Sequence, residues 1–170
     1  MRLSLLTFIL LVLPLHSVFA AQVIFQHIPN AEIVGRGVYS VALWDVYEAV
    51  LYAPDGRWNA SEPFALSIKY YRDIKGRGIA DRSVQEMRGQ GFSDEVKLAA
   101  WNTQMKNIFP DVNNGSVLSA VYFPGKKTVF YSGEKAIGSI NGDEFARLFF
   151  GIWLDEKTSA PELRRALLGL

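Results

Sequence analysis

Apolar and polar residues alternate with a period of two in several segments, which is the pattern of half-buried β-strands. In the clearest segment, 64–71, one face carries Phe64, Leu66, Ile68 and Tyr70. The segments 38–43 and 46–52 are rich in β-branched and aromatic residues and predict two further strands. Three more strands are predicted over 116–123, 127–131 and 135–140.

Apolar residues spaced three and four apart predict four helices. The best defined begins after Ser93 and is ended by Pro110. A weaker pattern covers 79–88. Two more helices are predicted to start at Asn141 and Ser159, because each is followed three residues later by a glutamate, as in a capping box.

This order of elements, in which strands and helices occur in separate groups, predicts the α+β class and not an alternating parallel sheet. The simplest architecture is a curved antiparallel sheet with helices covering one face. Such an arrangement can hold an apolar pocket between the sheet and the helices. The connecting segments are short, so one domain is expected.

The amino terminus has the pattern of a secretory signal peptide over residues 1–20. Segment 3–15 is almost wholly apolar, and Ala20 supplies the small residue that precedes a cleavage site. An uncleaved membrane anchor is the alternative, but the apolar run is shorter than the ~20 residues that span a bilayer and is broken by Pro14. We therefore predict a periplasmic or secreted domain of residues 21–170, with no membrane span after cleavage.

Composition narrows the chemistry of this domain. The chain has no cysteine, and His27 is its one histidine after residue 20, so disulfides, thiol nucleophiles and transition-metal sites are not expected. We predict no cofactor and no metal. Without Arg2, 17 basic residues face 17 acidic ones, and this balance argues against nucleic acid as a partner. The sequence identifies no protein partner.

Several short segments, in this order and spacing, resemble the bacterial chalcone isomerase-like proteins over residues 30–169. They are GRG at 35–37, LWDVYEAVLY at 43–52, YYRD at 70–73, FPDV at 109–112 and FGIWL at 150–154. The resemblance implies an open-faced β-sandwich, in which a long antiparallel sheet carries helices layered on one face. This fold includes plant isomerases that close a flavanone ring and plastid fatty-acid-binding proteins, so fold alone does not assign the function.

The catalytic residues of the plant enzymes do not carry over to this chain. The resemblance places their strand arginine nearest Tyr39, with Arg36 as the neighbouring cation, and their threonine at Tyr47. The tyrosine and asparagine of the covering helix fall near Ile79 and Glu86. These departures favour a non-catalytic protein.

Four residues are the candidates for contacting a ligand: Arg36, Tyr39, Tyr47 and Arg72. A phenol can donate a hydrogen bond to a carbonyl or carboxylate, and an arginine can hold a carboxylate. The alternative for Arg72 is a surface ion pair with Asp45 or Asp73. Other aromatic residues either fill the core or line a cavity: Trp44, Tyr52, Tyr70, Trp101, Phe149 and Trp153.

Three functions remain open from the sequence. The first is non-catalytic binding of a small hydrophobic ligand, with a fatty acid or similar carboxylate as the specific prediction. The second is an isomerase or lyase that acts on a phenolic enone and needs a cation inside its cleft. The third is an envelope interaction protein whose cavity is filled by its own side chains.

Overall fold

Six strands form one sheet in which every neighbouring pair is antiparallel and the spatial order follows the chain. The computed structural model describes residues 16–170, with side chains from Gln22 onward. Residues 1–15 of the predicted signal peptide lie outside the described residues. The strands are β1 (Ala31–Val41), β2 (Trp44–Pro54), β3 (Phe64–Tyr70), β4 (Val117–Phe123), β5 (Lys127–Ser132) and β6 (Lys135–Asn141).

Four helices cover one face of this sheet, and the predicted α+β fold class is confirmed. They are α2 (Gly76–Gly89), α3 (Glu95–Ile108), α4 (Asp143–Leu154) and α5 (Pro161–Leu168). The large hydrophobic core lies between them and the alternate residues of the strands that face them.

The helix starts differ from the predicted capping boxes. The α3 helix is capped by Asp94, whose side chain accepts a hydrogen bond from the backbone N–H of Lys97. The boxes predicted at Asn141 and Ser159 are wrong, because α4 starts after Gly142 and α5 starts after Ala160 without a side-chain cap. A proline at the first position of α5 sets its direction instead.

An additional helix, α1 (His16–His27), lies on the opposite face of the sheet. Val23, Ile24 and Ile28 are buried there in a second, smaller cluster with Ala65 and Val121. This helix was not predicted from the sequence. Val23, Ile24 and Ile28 all follow Ala20, so their contacts belong to the domain that remains if the predicted cleavage occurs.

Two glycines of β1 bring α5 close to the edge of the sheet. A Cβ atom at Gly35 would collide with the backbone carbonyl groups of Ala166 and Leu167, and one at Gly37 would collide with the side chain of Leu163. Helix α5 therefore rests directly on the β1 backbone. Over residues 16–170, no helix is long and apolar enough to cross a membrane.

Candidate ligand-binding site

A cavity of about 200 Å³ separates the sheet from the helical layer near the β1–β2–β3 side. Its apolar wall comes from both layers and consists mainly of Leu66, Ile68, Leu118, Ile74, Ile79 and Ile152. The sheet residues reach it because alternate residues of a strand share a face, as Leu66, Ile68 and Tyr70 do. The helical cover is thus the second wall of a pocket, as the α+β pattern predicted.

The floor of the cavity is a group of phenylalanine rings, here named the phenylalanine cluster: Phe109, Phe130, Phe145 and Phe149. The rings of Phe109 and Phe130 lie 5.1 Å apart, and those of Phe130 and Phe149 lie 5.2 Å apart, both edge to face. These are favourable aromatic geometries. Three of the four rings face the cavity, whereas Phe145 lies behind them and does not line it.

Three tyrosines at the opposite end of the cavity form the tyrosine cluster: Tyr39, Tyr47 and Tyr70. Tyr39 and Tyr47 are direct partners across β1 and β2, and their rings stack with centroids 5.1 Å apart. Tyr70 stands on β3 opposite Tyr47, with the ring centroids 6.0 Å apart. The indole Nε1 of Trp153 on α4 donates a hydrogen bond of 3.0 Å to the Tyr47 hydroxyl.

The buried tyrosines remain hydrogen-bond donors. Burial raises the pKa of both Tyr47 and Tyr70 well above the ordinary value of a phenol. Tyr47 accepts from Trp153, which leaves its own proton to donate. Tyr70 is only 5% exposed, and no hydrogen bond joins its hydroxyl to another described residue. The cluster can therefore donate to a carbonyl or carboxylate oxygen in the cavity.

An ion pair stands at the mouth of the cavity. The residues of α2 that line the cavity are Gly78, Ile79, Arg82, Ser83 and Glu86, which share one face of the helix. Arg82 forms an ion pair with Glu86 one turn further on. Its guanidinium has five N–H donors, so one carboxylate partner leaves others free for a ligand.

The structure brings two of the four candidate residues to the cavity. Tyr39 and Tyr47 line it. Arg36 is exposed on the other face of the sheet, because it alternates with Gly35 and Gly37, which face α5. Arg72 is also exposed and lies outside, where its Nε donates a 3.0 Å hydrogen bond to the carbonyl oxygen of Asp45.

Arg82 was not among the candidates predicted from the sequence. The signal that could have found it is the helical spacing of Ile79, Arg82 and Glu86, which puts all three on one face. The other aromatic candidates lie in different parts of the structure. Tyr70, Phe149 and Trp153 line the cavity, Trp101 is in the core, Tyr52 packs near α1, and Trp44 is exposed.

A second cavity of about 460 Å³ lies between α4 and the segment that precedes β3. Its rim carries three carboxylates, from Asp143, Glu144 and Asp155, against the single guanidinium of Arg147. An excess of negative charge disfavours an anionic ligand. The described residues contain no group of side chains that could hold a metal ion.

These features define a class of protein: an antiparallel sheet whose helical cover encloses an apolar cavity with hydrogen-bond donors at one end. The family model described as chalcone isomerase-like matches residues 26–169, and the chain belongs to this family. The resemblance noted in the sequence is thereby confirmed. A comparison with curated proteins found no match.

Among solved structures, the chain is similar to the crystal structure of a fatty-acid-binding protein of Arabidopsis thaliana. The TM-score is 0.64 with 14% sequence identity, covering 82% of this chain and 87% of the plant protein. At this identity the likeness shows the fold, and it confirms the open-faced sheet with a layer of helices.

Proposed function

We propose that this protein binds a small amphipathic molecule, a fatty acid or similar carboxylate, without transforming it. One observation carries the proposal: an apolar cavity has the tyrosine cluster at one end and the Arg82 guanidinium at its mouth. The plant protein of the same fold is a fatty-acid-binding protein, which supports the same class of ligand.

The size of the cavity favours a medium-length chain. An engineered cavity of ~150 Å³ lined by Leu, Ile and Phe binds benzene, and the cavity here measures about 200 Å³ with similar walls. Each buried methylene contributes ~0.8 kcal/mol. We therefore expect affinity to rise about fourfold per methylene through a series of short fatty acids and to level off once the cavity is full.

The position of the cations favours binding over turnover. A flavanone-forming isomerase needs a cation inside its cleft to stabilise the attacking phenolate. Arg36 and Arg72 lie outside the cavity, and Arg82 at the mouth is paired with Glu86. This distribution suits a carboxylate held at the entrance with its chain pointing inward.

The decisive experiment is isothermal titration calorimetry with octanoate. Arg82→Gln should weaken binding by about tenfold or more, because a hydrogen bond to a charged group contributes ~1.5–3 kcal/mol. Arg36→Gln and Arg72→Gln remove the same charge outside the cavity and should bind like the wild type. No measurable binding of octanoate to the wild type would refute the proposal.

A matched pair of glycines on α2 tests the location of the ligand. Gly78 lines the cavity and Gly89 does not, and a Cβ at either position would meet no atom within 4 Å. Gly78→Leu should block octanoate binding while Gly89→Leu leaves it intact, with both variants folded by circular dichroism. Equal affinities in the two variants would place the ligand elsewhere.

We also propose that the protein acts outside the cytoplasm, on the strength of the signal pattern over residues 1–20. The mass of the protein recovered from the cell envelope should be that of a chain starting at Ala21. Recovery of the intact chain in the cytoplasmic fraction would contradict this.

A further inference from the structure

The tip of the β1–β2 hairpin exposes large apolar side chains. Strand β1 ends at Val41 and β2 begins at Trp44, so only Ala42 and Leu43 form the turn. Leu43 is 94% exposed, Trp44 64% and Val41 53%. Turn positions usually carry Gly, Asn, Asp or other polar residues. An apolar apex is therefore not explained by the turn itself.

The backbone of this turn is strained. Ala42 has a φ of 55°, in the left-handed region that favours glycine. Such a conformation costs on the order of 1 kcal/mol and is found more often at functional sites. A side-chain hydrogen bond joins the two strands next to the turn: Ser40 Oγ donates to Asp45 Oδ1 over 2.6 Å. The apolar apex therefore lies at the end of a hydrogen-bonded hairpin.

The charged side chains beside the tip do not form a positive patch. The Arg72 guanidinium lies 4.9 Å from the centre of the Trp44 ring, a cation–π contact. Asp45 follows Trp44 along the chain, and Asp73 follows Arg72, so two carboxylates lie beside this one cation. An anionic partner such as nucleic acid or an acidic membrane is therefore not favoured, and an uncharged apolar partner is.

The tip projects from the strands that carry the tyrosine cluster. Tyr39 precedes Leu43 by four residues on one strand, and Tyr47 follows it by four on the other. Since a strand advances ~3.3 Å per residue, Leu43 lies roughly 13 Å beyond these rings. Whatever binds the tip therefore lies near the tyrosine cluster, which lines the cavity.

The size of the apex favours a lipid surface over a protein. Leu43, Trp44 and Val41 are only 94%, 64% and 53% exposed. Even if each whole side chain offered ~250 Å², the upper figure for an aromatic ring, their exposed parts would total roughly 500 Å², short of the ~800 Å² that a stable protein interface covers on each partner. A protruding leucine and tryptophan suit the boundary between headgroups and acyl chains, where tryptophan is enriched.

We propose that the tip formed by Val41, Leu43 and Trp44 inserts into the interface of a lipid bilayer with little dependence on lipid charge. Insertion would set the cavity mouth beside the lipid, from which an amphipathic ligand can be taken. This last consequence rests on the proposed function, but the insertion itself does not.

Flotation with phosphatidylcholine vesicles tests the insertion. Leu43→Asp should lower the partition coefficient at least tenfold, because it places a charge in the apolar layer. Val96→Asp makes the same change at another exposed site, 82% exposed at the start of α3, and should bind like the wild type. All variants keep the same amino terminus, so the difference between them isolates the tip.

Tryptophan quenching by brominated phosphatidylcholine gives a second readout. The wild type should be quenched, and Trp44→Phe should lose most of that quenching. Equal vesicle binding of Leu43→Asp and Val96→Asp, or quenching that persists in Trp44→Phe, would overturn the proposal. A wild-type dimer in sedimentation that Leu43→Asp abolishes would also overturn it, in favour of a second copy as the partner.

The two proposals can fail separately. If the tip proposal alone is wrong, Gly78→Leu still blocks octanoate binding while vesicle binding is insensitive to Leu43→Asp. If the ligand proposal alone is wrong, Leu43→Asp still reduces vesicle binding while octanoate produces no heat in any variant.

Discussion

The phenylalanine cluster and the tyrosine cluster are both aromatic and both buried, yet they do different things. In the phenylalanine cluster the rings fill the space between sheet and helices, and Phe145, only 1% exposed, contacts Trp101 on α3. In the tyrosine cluster the rings border the cavity and carry polar hydroxyls, and Trp153 on α4 reaches one of them with a hydrogen bond. Closely packed rings support the fold, whereas hydroxyls beside an empty volume can bind a ligand.

The difference between the clusters shows that a cavity with polar atoms is not simply a packing defect. An empty cavity in a core is usually apolar, because a polar group without a partner is costly to bury. Here Trp153 donates to the Tyr47 hydroxyl, whereas the Tyr70 hydroxyl makes no hydrogen bond to a described residue and remains accessible from the cavity. A ligand oxygen would supply that partner, so the comparison predicts that function resides at the tyrosine end.

The largest expected effect comes from removing a ring of the filled end. Phe145→Ala should lower the free energy of unfolding by ~3–5 kcal/mol, because it leaves a cavity in close-packed surroundings. Ile79→Ala removes a half-buried side chain that already faces the cavity and should cost less than ~2 kcal/mol. Urea unfolding measures both changes. Equal losses of stability would contradict the difference in packing between the phenylalanine cluster and the cavity.

A smaller loss is expected where α5 closes the tyrosine end. Gly35→Ala should lower the free energy of unfolding by ~1–3 kcal/mol, since the new Cβ meets backbone that cannot rotate away. The displaced α5 should also disturb Ser159 and Ala160, which precede it and line the cavity. Unfolding and octanoate titration check both effects. An unchanged variant would show that α5 does not rest on β1.

Alkaline pH distinguishes the two clusters, because tyrosine hydroxyls ionise and phenylalanine rings do not. Burial raises the folded pKa of Tyr70 above its ordinary value of 10, so the folded state holds this proton more tightly than the unfolded state. Its stabilisation is complete below pH 10 and falls by about 1.4 kcal/mol per pH unit above it. Tyr70→Phe should remove the part of the slope that Tyr70 contributes in urea unfolding between pH 10 and 11, while Tyr47, whose pKa burial also raises, keeps its own part. Parallel curves would contradict the expected burial.

The smallest expected change in the free energy of unfolding is at a position outside both clusters, which serves as a reference for the larger changes. Gly89→Ala on α2 should raise the free energy of unfolding by ~0.5–1 kcal/mol, because alanine favours a helix and its Cβ meets no neighbour. Thermal or urea unfolding measures this gain. A loss instead would mean that the carboxyl-terminal end of α2 is more crowded than the structure shows.

Local patterns predicted most of the secondary structure. The alternation over 64–71 became β3, and the apolar spacing after Ser93 became α3. The ends of the elements were predicted less well. Strand β1 begins at Ala31, seven residues before the predicted strand. Gly35 and Gly37 hid this part of the strand, because glycine has no strand preference and is needed there only for contact with α5.

Residue type did not reveal which arginine lies at the cavity. Arg36 lies between two glycines in an otherwise apolar segment, whereas Arg72 and Arg82 lie in polar stretches. Which of the three reaches the cavity depends on strand register and on the rotation of α2. A shift of one residue moves a strand side chain to the other face, which is why Arg36 lies outside while Tyr39 lies inside. Helix α1 was missed for a related reason, because its buried side depends on a sheet face formed by distant residues.

The local period of apolar residues and the order of elements along the chain were enough to predict the class of the fold and the number of strands. The packing of the two layers was needed to learn that Tyr39 pairs with Tyr47, that the phenylalanines close the core, that the tyrosines border a cavity and that Arg82 stands at its mouth. Those outcomes depend on how two layers fit together, and the volume left between layers is a property of neither layer alone.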